Sequence, residues 1–199
     1  MKILFGGSFD PIHIGHLAII RGVIEKYHPE KFFLVPARQS MSKIEYVFPP
    51  EFRLELIKKS LSDLPDHITC CIEMSLYEIN QNRHVYTYET IDFLKPDYLL
   101  IGGDHDYTRW KNFHEAIYPS IKKFLVYPRH GIPAKPRGEK EVVLNLKSYD
   151  VSSMQIITKL RNRDKINHLV SPTALKAIEG FQLNLTASSK PEMKNLRCE

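Results

Sequence analysis

From its first residue onward, the chain alternates between short apolar runs and segments in which apolar residues recur at helical spacing. Residues Leu17, Ile20, Val23 and Ile24 have that spacing, which is typical of a helix with one buried face. The apolar runs predict short, largely buried strands at residues 2–5, 31–35, 68–74, 98–101 and 122–127. Strands and helices in alternation predict an α/β fold, a single Rossmann-like, doubly wound parallel sheet with helices on both faces.

The length of 199 residues suits one domain. Predicted helices at residues 153–162 and after Pro172 form a C-terminal helical segment that closes this domain at about residue 183. Residues 184–199 are polar and include Ser188, Ser189 and Pro191. With so little to bury, they are predicted to be a disordered tail.

Hydrophobic residues make up 43% of the chain and charged residues 26%, which is typical of a globular protein. No apolar stretch approaches the roughly 18 residues of a membrane span, and the N-terminus lacks a secretory leader, so we expect a cytoplasmic protein without membrane association. Cys70 and Cys71 are adjacent in a predicted buried strand and Cys198 is in the tail. This spacing fits neither a disulfide framework nor a metal site.

The net charge of +5 allows an anionic partner, which could be nucleic acid, an acidic membrane surface or a phosphorylated small molecule. A solvated helix face is the simpler interpretation of the basic residues that follow one another near the C-terminus, which are Lys159, Arg161, Arg163 and Lys165. Nucleic acid is the least favoured partner because no aromatic platform is interleaved with a basic stripe.

Ligands of open α/β sheets bind beyond the carboxyl ends of the strands, where the strand order reverses. The predicted strands therefore direct attention to the segments that follow them. These are residues 6–16, 36–43, 102–106 and 128–131.

Residues 6–16, with the sequence GGSFDPIHIGH, are the most informative of these segments. Gly6 and Gly7 allow backbone N–H groups to approach a phosphate closely, and a helix predicted to begin near His13 or Gly15 favours anions at its N-terminus. His13 and His16 are three residues apart and therefore share a helix face. They could also be a metal pair or simply cap and pack, but zinc requires more nitrogen or sulfur ligands than this loop offers.

This loop resembles the (T/H)xGH signature of the nucleotidyltransferase superfamily, and its full sequence is most similar to bacterial-type nicotinate-nucleotide adenylyltransferases. The resemblance extends through Leu183. It implies that His13 and His16 are catalytic and stabilise the phosphates of ATP, with Mg²⁺ accompanying the nucleotide. It also implies ATP binding by the loop residues Gly6, Gly7, Ser8 and Phe9.

Further positions match that family. Thr87, within Tyr86-Thr87 followed by Thr90, resembles its nicotinate-nucleotide contact, although a helix N-cap is the alternative role. Trp110 resembles the tryptophan that stacks on the pyridine ring, although the chain is shorter than the family pattern just before it and a packing role is the alternative. Arg129 matches a residue that holds the mononucleotide phosphate, and Gly102 and Asp104 match an ATP-binding turn.

Two segments depart from the family. In residues 36–43, Lys43 stays in register with an ATP-binding position, but Ser42 replaces a histidine. In residues 151–157, Ser152 and Ser153 match serines that bind ATP phosphates, but Ile157 stands where the family has an arginine. Arg161, one helical turn further on, is the expected substitute, and Lys159 is the alternative.

The expected activity is therefore adenylyl transfer from ATP to nicotinate mononucleotide, which gives nicotinate adenine dinucleotide and pyrophosphate in NAD biosynthesis. One alternative is an adenylyltransferase for another phosphate, either nicotinamide mononucleotide or phosphopantetheine. The other is a nucleotide-binding module with weakened catalysis, which Ile157 and Met154 suggest. ATP and nicotinate mononucleotide are the expected small-molecule partners, and the sequence leaves the oligomeric state open.

Overall fold

The computed structural model describes residues 1–39, 46–81, 83–103, 110–128, 136 and 138–181. Its strands are β1 (Lys2–Gly7), β2 (Lys31–Pro36), β3 (Ile72–Met74), β4 (Tyr98–Gly102), β5 (Lys123–Tyr127) and β6 (Glu141–Val143). Its helices are α1 (Ile14–Tyr27), α2 (Pro50–Leu61), α3 (Asp66–Thr69), α4 (Thr87–Leu94), α5 (Tyr118–Ser120), α6 (Ser153–Arg161) and α7 (Pro172–Gly180). A π-helical turn, Phe113–Ile117, leads into α5.

The strands form one parallel sheet in the order β3-β2-β1-β4-β5-β6. The chain moves outward from β1 to β2 and β3, then crosses back to place β4 on the other side of β1. The strand order therefore reverses between β1 and β4, which is where open α/β sheets bind ligands. The predicted doubly wound sheet is confirmed.

Alternate residues of the central strands enter two separate cores. Ile3 and Phe5 of β1 pack with α1, α2, α6 and α7 on one face of the sheet. Leu4 packs on the other face with Ile91 of α4 and with the π-helical turn. This covering of both faces explains why the strands are nearly continuous apolar runs rather than alternating patterns.

Asp97 joins the amino ends of three neighbouring strands. Its carboxylate accepts the backbone N–H of Lys2 at 2.8 Å and the Nζ of Lys122 at 2.6 Å. The backbone N–H of Asp97 donates to the Lys2 carbonyl, and its own carbonyl accepts from the Lys122 N–H. This cluster lies at the opposite edge of the sheet from the loop that carries the histidines.

The strand predicted at residues 68–74 is confirmed only in its second part. Asp66–Thr69 forms the short helix α3, because Pro65 and Asp66 supply the start signals of a helical turn, and the strand is confined to Ile72–Met74. Cys70 is therefore exposed rather than buried in a strand, and Cys71 is half-buried. Both thiols are free.

Near the C-terminus, the predicted basic helix is shorter than expected. Helix α6 ends at Arg161, and Arg163 adopts a left-handed backbone with φ 61°. Arg163 and Lys165 are therefore not on the same helix as Lys159. Helix α7 confirms the predicted helix after Pro172, whereas residues 182–199 lie outside the described part of the chain, so the limit of the domain and the tail stay predictions.

Candidate active site

The loop after β1 sits at the point where the strand order reverses. The Gly7 carbonyl accepts the N–H of Ala37 at 2.9 Å, so the start of this loop is tied to the segment that follows β2. Asp10 is buried, and its carboxylate accepts the N–H groups of Val47 at 3.1 Å and Phe48 at 2.9 Å. These bonds hold the loop rigidly between β1 and α1.

The two histidines of the loop stack on each other at the start of α1. Their ring centroids are 3.7 Å apart and their planes are inclined by 25°. The Nδ1 atom of His16 accepts the backbone N–H of His13 at 3.3 Å, so the neutral ring carries its proton on Nε2. The two imidazoles therefore meet, as their spacing predicted, and His16 also caps the start of α1, which is the alternative role. Phosphate binding by the two rings stays a prediction.

The Phe9 ring supports the loop from the core. The ring is buried and lies edge-on to Phe5 at 5.4 Å and to His16 at 5.0 Å. A Cβ on Gly7 would lie 3.0 Å from the Phe9 ring, so Gly7 makes room for this packing. Gly6 has ordinary space around its missing side chain, and its role as an ATP-binding position stays a prediction, as do those of Gly7, Ser8 and Phe9.

The N-terminus of α1 is less open to an anion than expected. The N–H of Ile14, the first residue of the helix, donates to the Leu169 carbonyl at 3.0 Å. One of the N–H groups expected to face a phosphate is thus used to attach the segment between α6 and α7.

Helix α6 brings the serine motif against the same loop. Ser152 is the N-cap, and its hydroxyl accepts the Gln155 N–H at 3.1 Å. Ser153 donates its hydroxyl to the Pro11 carbonyl at 2.9 Å. Ser152 is exposed and can meet a ligand, whereas Ser153 is placed to hold α6 to the histidine loop.

The position of the missing arginine lies in the core. Ile157 is only 3% exposed and packs in the cluster between the sheet and α1. Arg161 is exposed at the last turn of α6, and Lys159 is half-buried. Four helical residues separate the Cα atoms of Ile157 and Arg161 by about 6 Å along the axis, so substitution by Arg161 requires its side chain to extend back toward the loop.

The candidate acceptor residues lie beyond β4 and before α4. Tyr86 is the N-cap of α4 and Thr87 is its first residue, so the alternative role of Thr87 as an N-cap is wrong. Lys111 places its Nζ 4.5 Å from the centre of the Tyr86 ring, which brings the segment with Trp110 next to Thr87. Trp110 is half-buried and also packs edge-on to Phe113 at 6.1 Å.

Gly102 ends β4 opposite Tyr127 of β5, as expected for a turn at the carboxyl edge of the sheet. Three other predicted site residues, Lys43, Asp104 and Arg129, lie outside the described residues. Their roles stay predictions.

Sequence reasoning missed Arg53 of α2. Its guanidinium is buried and donates to the Ser8 carbonyl at 2.6 Å and to the Ala37 carbonyl at 2.7 Å. A signal was available, because Arg53 lies three and four residues before Leu56 and Ile57 and thus shares their buried face.

Within the described ranges, no three His, Cys, Asp or Glu side chains are grouped to hold a metal ion. In the same part of the chain, no helix is long and apolar enough to cross a membrane.

Comparisons with known proteins give a consistent picture. Residues 4–159 match the cytidylyltransferase-like family. A protein of Clostridium acetobutylicum named "Probable nicotinate-nucleotide adenylyltransferase" is 32% identical, over 85% of this chain and 91% of its own length. One of the same name from Aliarcobacter butzleri is 31% identical, over 80% of this chain and 88% of its own.

A solved structure shares the fold. Plasmodium falciparum nicotinic acid mononucleotide adenylyltransferase, complexed with NaAD, superimposes with a TM-score of 0.74 at 18% identity, covering 92% of this chain and 96% of its own. The order of the sheet, the loop with its stacked histidines and these relatives agree: the chain belongs to the cytidylyltransferase-like family and, within it, to the nicotinate-nucleotide adenylyltransferases.

Proposed function

We propose that this chain transfers the adenylyl group of ATP to nicotinate mononucleotide, giving nicotinate adenine dinucleotide and pyrophosphate. The observation that carries the proposal is the stacked His13–His16 pair at the N-terminus of α1, in a chain whose relatives carry the name of this activity. The pair lies where the strand order reverses, which is where this class of sheet binds nucleotides.

In the proposed reaction, a 5′-phosphate oxygen of the mononucleotide attacks the α-phosphorus of ATP in line. The bond from that phosphorus to the bridging oxygen breaks, and the electron pair leaves with pyrophosphate. The protein positions two anions and stabilises the charge that develops on the leaving group, so no protein nucleophile is required. His16 Nε2 and the exposed Ser152 hydroxyl are the donors that the geometry offers.

The donor set suits Mg²⁺ that enters with ATP as part of the substrate. Mg²⁺ keeps several waters and binds through substrate phosphates rather than a protein cage, and the described residues provide imidazole and hydroxyl groups near the loop. When bound, the ion would neutralise phosphate charge. His13, His16 and Ser152 would then contact phosphate oxygens that the ion leaves free.

For the acceptor, we propose that Thr87 and Trp110 bind the nicotinate ring and that Arg129 holds its 5′-phosphate. The Lys111–Tyr86 contact supports this grouping because it brings the Trp110 segment to the start of α4. For ATP, we propose contacts from Gly102, Asp104 and Lys43. Arg161, or alternatively Lys159, would supply the cation that Ile157 cannot.

The experiment that tests the proposal is pyrophosphate release from Mg²⁺-ATP with three acceptors offered separately. Nicotinate mononucleotide should give turnover well above that with nicotinamide mononucleotide or phosphopantetheine. Preference for either of the other acceptors would reassign the substrate. ATP binding without pyrophosphate release from any of them would instead favour a nucleotide-binding module.

Two substitutions at one position separate chemistry from helix capping. In His16→Asn, the amide oxygen can still accept the His13 N–H but no group replaces Nε2–H, whereas His16→Ala loses both. Each variant should lower kcat by about 100-fold or more, with His16→Asn closer to the wild type in thermal stability. Near-normal turnover of His16→Asn would remove the donor role from His16.

A further inference from the structure

A buried arginine outside the recognised motifs reaches the loop that carries the histidines. Arg53 of α2 is 0% exposed, and burial lowers the pKa of its guanidinium, against the opposing influence of Tyr46 and Asp10. Removing a guanidinium from water is unfavourable unless its N–H groups find acceptors. Its acceptors therefore indicate what this side chain does.

Those acceptors are carbonyl groups of two loops at the carboxyl edge of the sheet. One Nη atom donates to Ser8, in the loop after β1, and to Ala37, in the segment after β2. The other reaches the Arg38 carbonyl at 3.4 Å, and the guanidinium lies 4.3 Å from the centre of the Tyr46 ring. Arg53 thus fixes two neighbouring loops to each other and to α2.

The bond to Ser8 sets the orientation of the next N–H group. Among the described residues, only the Asp10–Pro11 peptide is cis, so the Ser8–Phe9 peptide is planar and trans, and its C=O and N–H point in opposite directions. Because the carbonyl points to Arg53, the Phe9 N–H points away from α2. Phe9 also has a left-handed φ of 45°, a conformation found in backbone nests that bind anions.

We propose that Arg53 is a positioning residue for ATP, which holds the Ser8–Phe9 peptide so that the Phe9 N–H is available to a phosphate oxygen. The inference rests on the proposed function, since it takes the loop to be the ATP phosphate site. A lysine would keep the charge, but it lacks the second Nη group that reaches the Arg38 carbonyl. Its freely rotating ammonium also could not hold the two other carbonyls in the fixed plane of a guanidinium.

The test compares Arg53→Lys and Arg53→Met with Leu56→Ala, which alters a fully buried side chain of the same helix that packs in the core. We would measure the Kd for Mg²⁺-ATP by calorimetry, the KM for nicotinate mononucleotide, kcat and Tm. Arg53→Lys should raise the Kd for ATP about tenfold and lower kcat. The KM for nicotinate mononucleotide should change by less than about twofold. Arg53→Met should raise the Kd for ATP and lower kcat further than Arg53→Lys does. Leu56→Ala should lower only Tm.

Wild-type ATP affinity in Arg53→Lys, together with a fall in Tm like that of Leu56→Ala, would show that Arg53 is only structural. If Arg53→Met does not fold, Arg53→Lys still decides the comparison. A wild-type protein that binds ATP but releases no pyrophosphate with any acceptor would refute the proposed activity, yet the effect of Arg53 on ATP affinity could still be measured. A wild-type protein that binds no ATP overturns both proposals.

Discussion

At Gly15, the backbone of α1 lies close to the Val151 side chain and the His13 ring. A Cβ at this position would lie 3.0 Å from a methyl carbon of Val151 and 3.1 Å from two atoms of the His13 ring. Both the Val151 side chain and the His13 imidazole must then shift by a few tenths of an ångström. Alanine otherwise stabilises a helix relative to glycine by about 1 kcal/mol. The steric strain and the gain in helix propensity therefore have opposite effects on the free energy of unfolding.

We predict that Gly15→Ala changes the free energy of unfolding by less than about 1 kcal/mol but lowers kcat about tenfold. Steady-state kinetics and urea unfolding would measure the two effects. Gly22→Ala is the matched control on α1, since its Cβ would press on Leu146, away from the histidines. Equal activity losses in the two variants would contradict the role assigned to Gly15.

Glu78 has a half-buried side chain, and this burial raises the pKa of its carboxyl group above the usual range. The Thr90 hydroxyl donates to it at 2.7 Å, His84 opposes the shift and Glu89 adds to it. Because the folded state binds the proton more tightly than the unfolded state, this group lowers stability as the pH rises from its unfolded pKa through its folded one.

Glu78→Gln should therefore gain stability relative to the wild type, by about 1 kcal/mol, as the pH rises from about 4, where glutamate ordinarily titrates, through the raised pKa of Glu78. The amide keeps an oxygen that can accept from Thr90, so the packing is largely preserved. Urea unfolding of both proteins across this range gives the difference at each pH. A difference that does not vary with pH would mean that Glu78 does not titrate as the structure indicates.

A residue's role could be predicted when its partners are close to it along the chain. His13 and His16 interact within one helical turn, so their spacing alone indicated that they meet. Ser153 and Pro11 are 142 positions apart in the chain, so no local sequence pattern could indicate their hydrogen bond. The spacing of Arg53 indicated that it is buried, but its acceptors could not be predicted, because they lie in loops whose approach depends on the complete sheet.

At the scale of elements, α4 is capped at its start by the side chain of its third residue, Glu89. The Glu89 carboxylate accepts the Tyr86 N–H at 2.9 Å and pairs with Arg83 through both of its oxygens. The bond from Arg83 is the main cause that lowers the pKa of Glu89. The resulting stability is present above its unfolded pKa and is lost as the pH falls through the folded one.

Glu89→Gln should lower the free energy of unfolding at pH 7 by about 0.5–1 kcal/mol. The difference from the wild type should shrink as the pH falls below about 4, opposite in sign to the effect of Glu78→Gln. The same unfolding series measures both variants. A constant difference over that pH range would rule out the ion pair as its source.

The elements that the sequence predicted well are those with a strong apolar signal, either a continuous run or a helical spacing. Strands β1, β2, β4 and β5 are buried on both faces, and α1 and α2 carry clear apolar stripes. Strand β6 was not predicted, because Glu141–Val143 is short and lies in a polar stretch. It forms because its backbone pairs with β5 as the last strand of the sheet, which is a tertiary effect.

At the scale of the whole molecule, two regions that stabilise the sheet lie at its opposite edges. The amino edge is joined by Asp97, and the main causes that lower the pKa of this carboxyl are the bonds from Lys122 and from the Lys2 N–H. The carboxyl edge carries the loops with the histidines. No contact described for Asp97 reaches those loops.

Asp97→Asn should therefore lower the free energy of unfolding by about 1 kcal/mol and leave kcat and both KM values unchanged at temperatures well below Tm. An amide oxygen can still accept the Lys2 N–H, whereas the pairing with Lys122 is lost. Denaturation and steady-state kinetics on the same preparation would test this. A changed KM would mean that the two edges are coupled through the strands.

The loops at the carboxyl edge are held to one another by their own bonds, from Arg53, Asp10 and Ser153. Such a layout favours protein engineering. The segments around Thr87 and Trp110, where we propose that the acceptor binds, could be redesigned for a different phosphorylated partner. Reinforcement of the Asp97 cluster at the far edge would offset the stability that new loops cost.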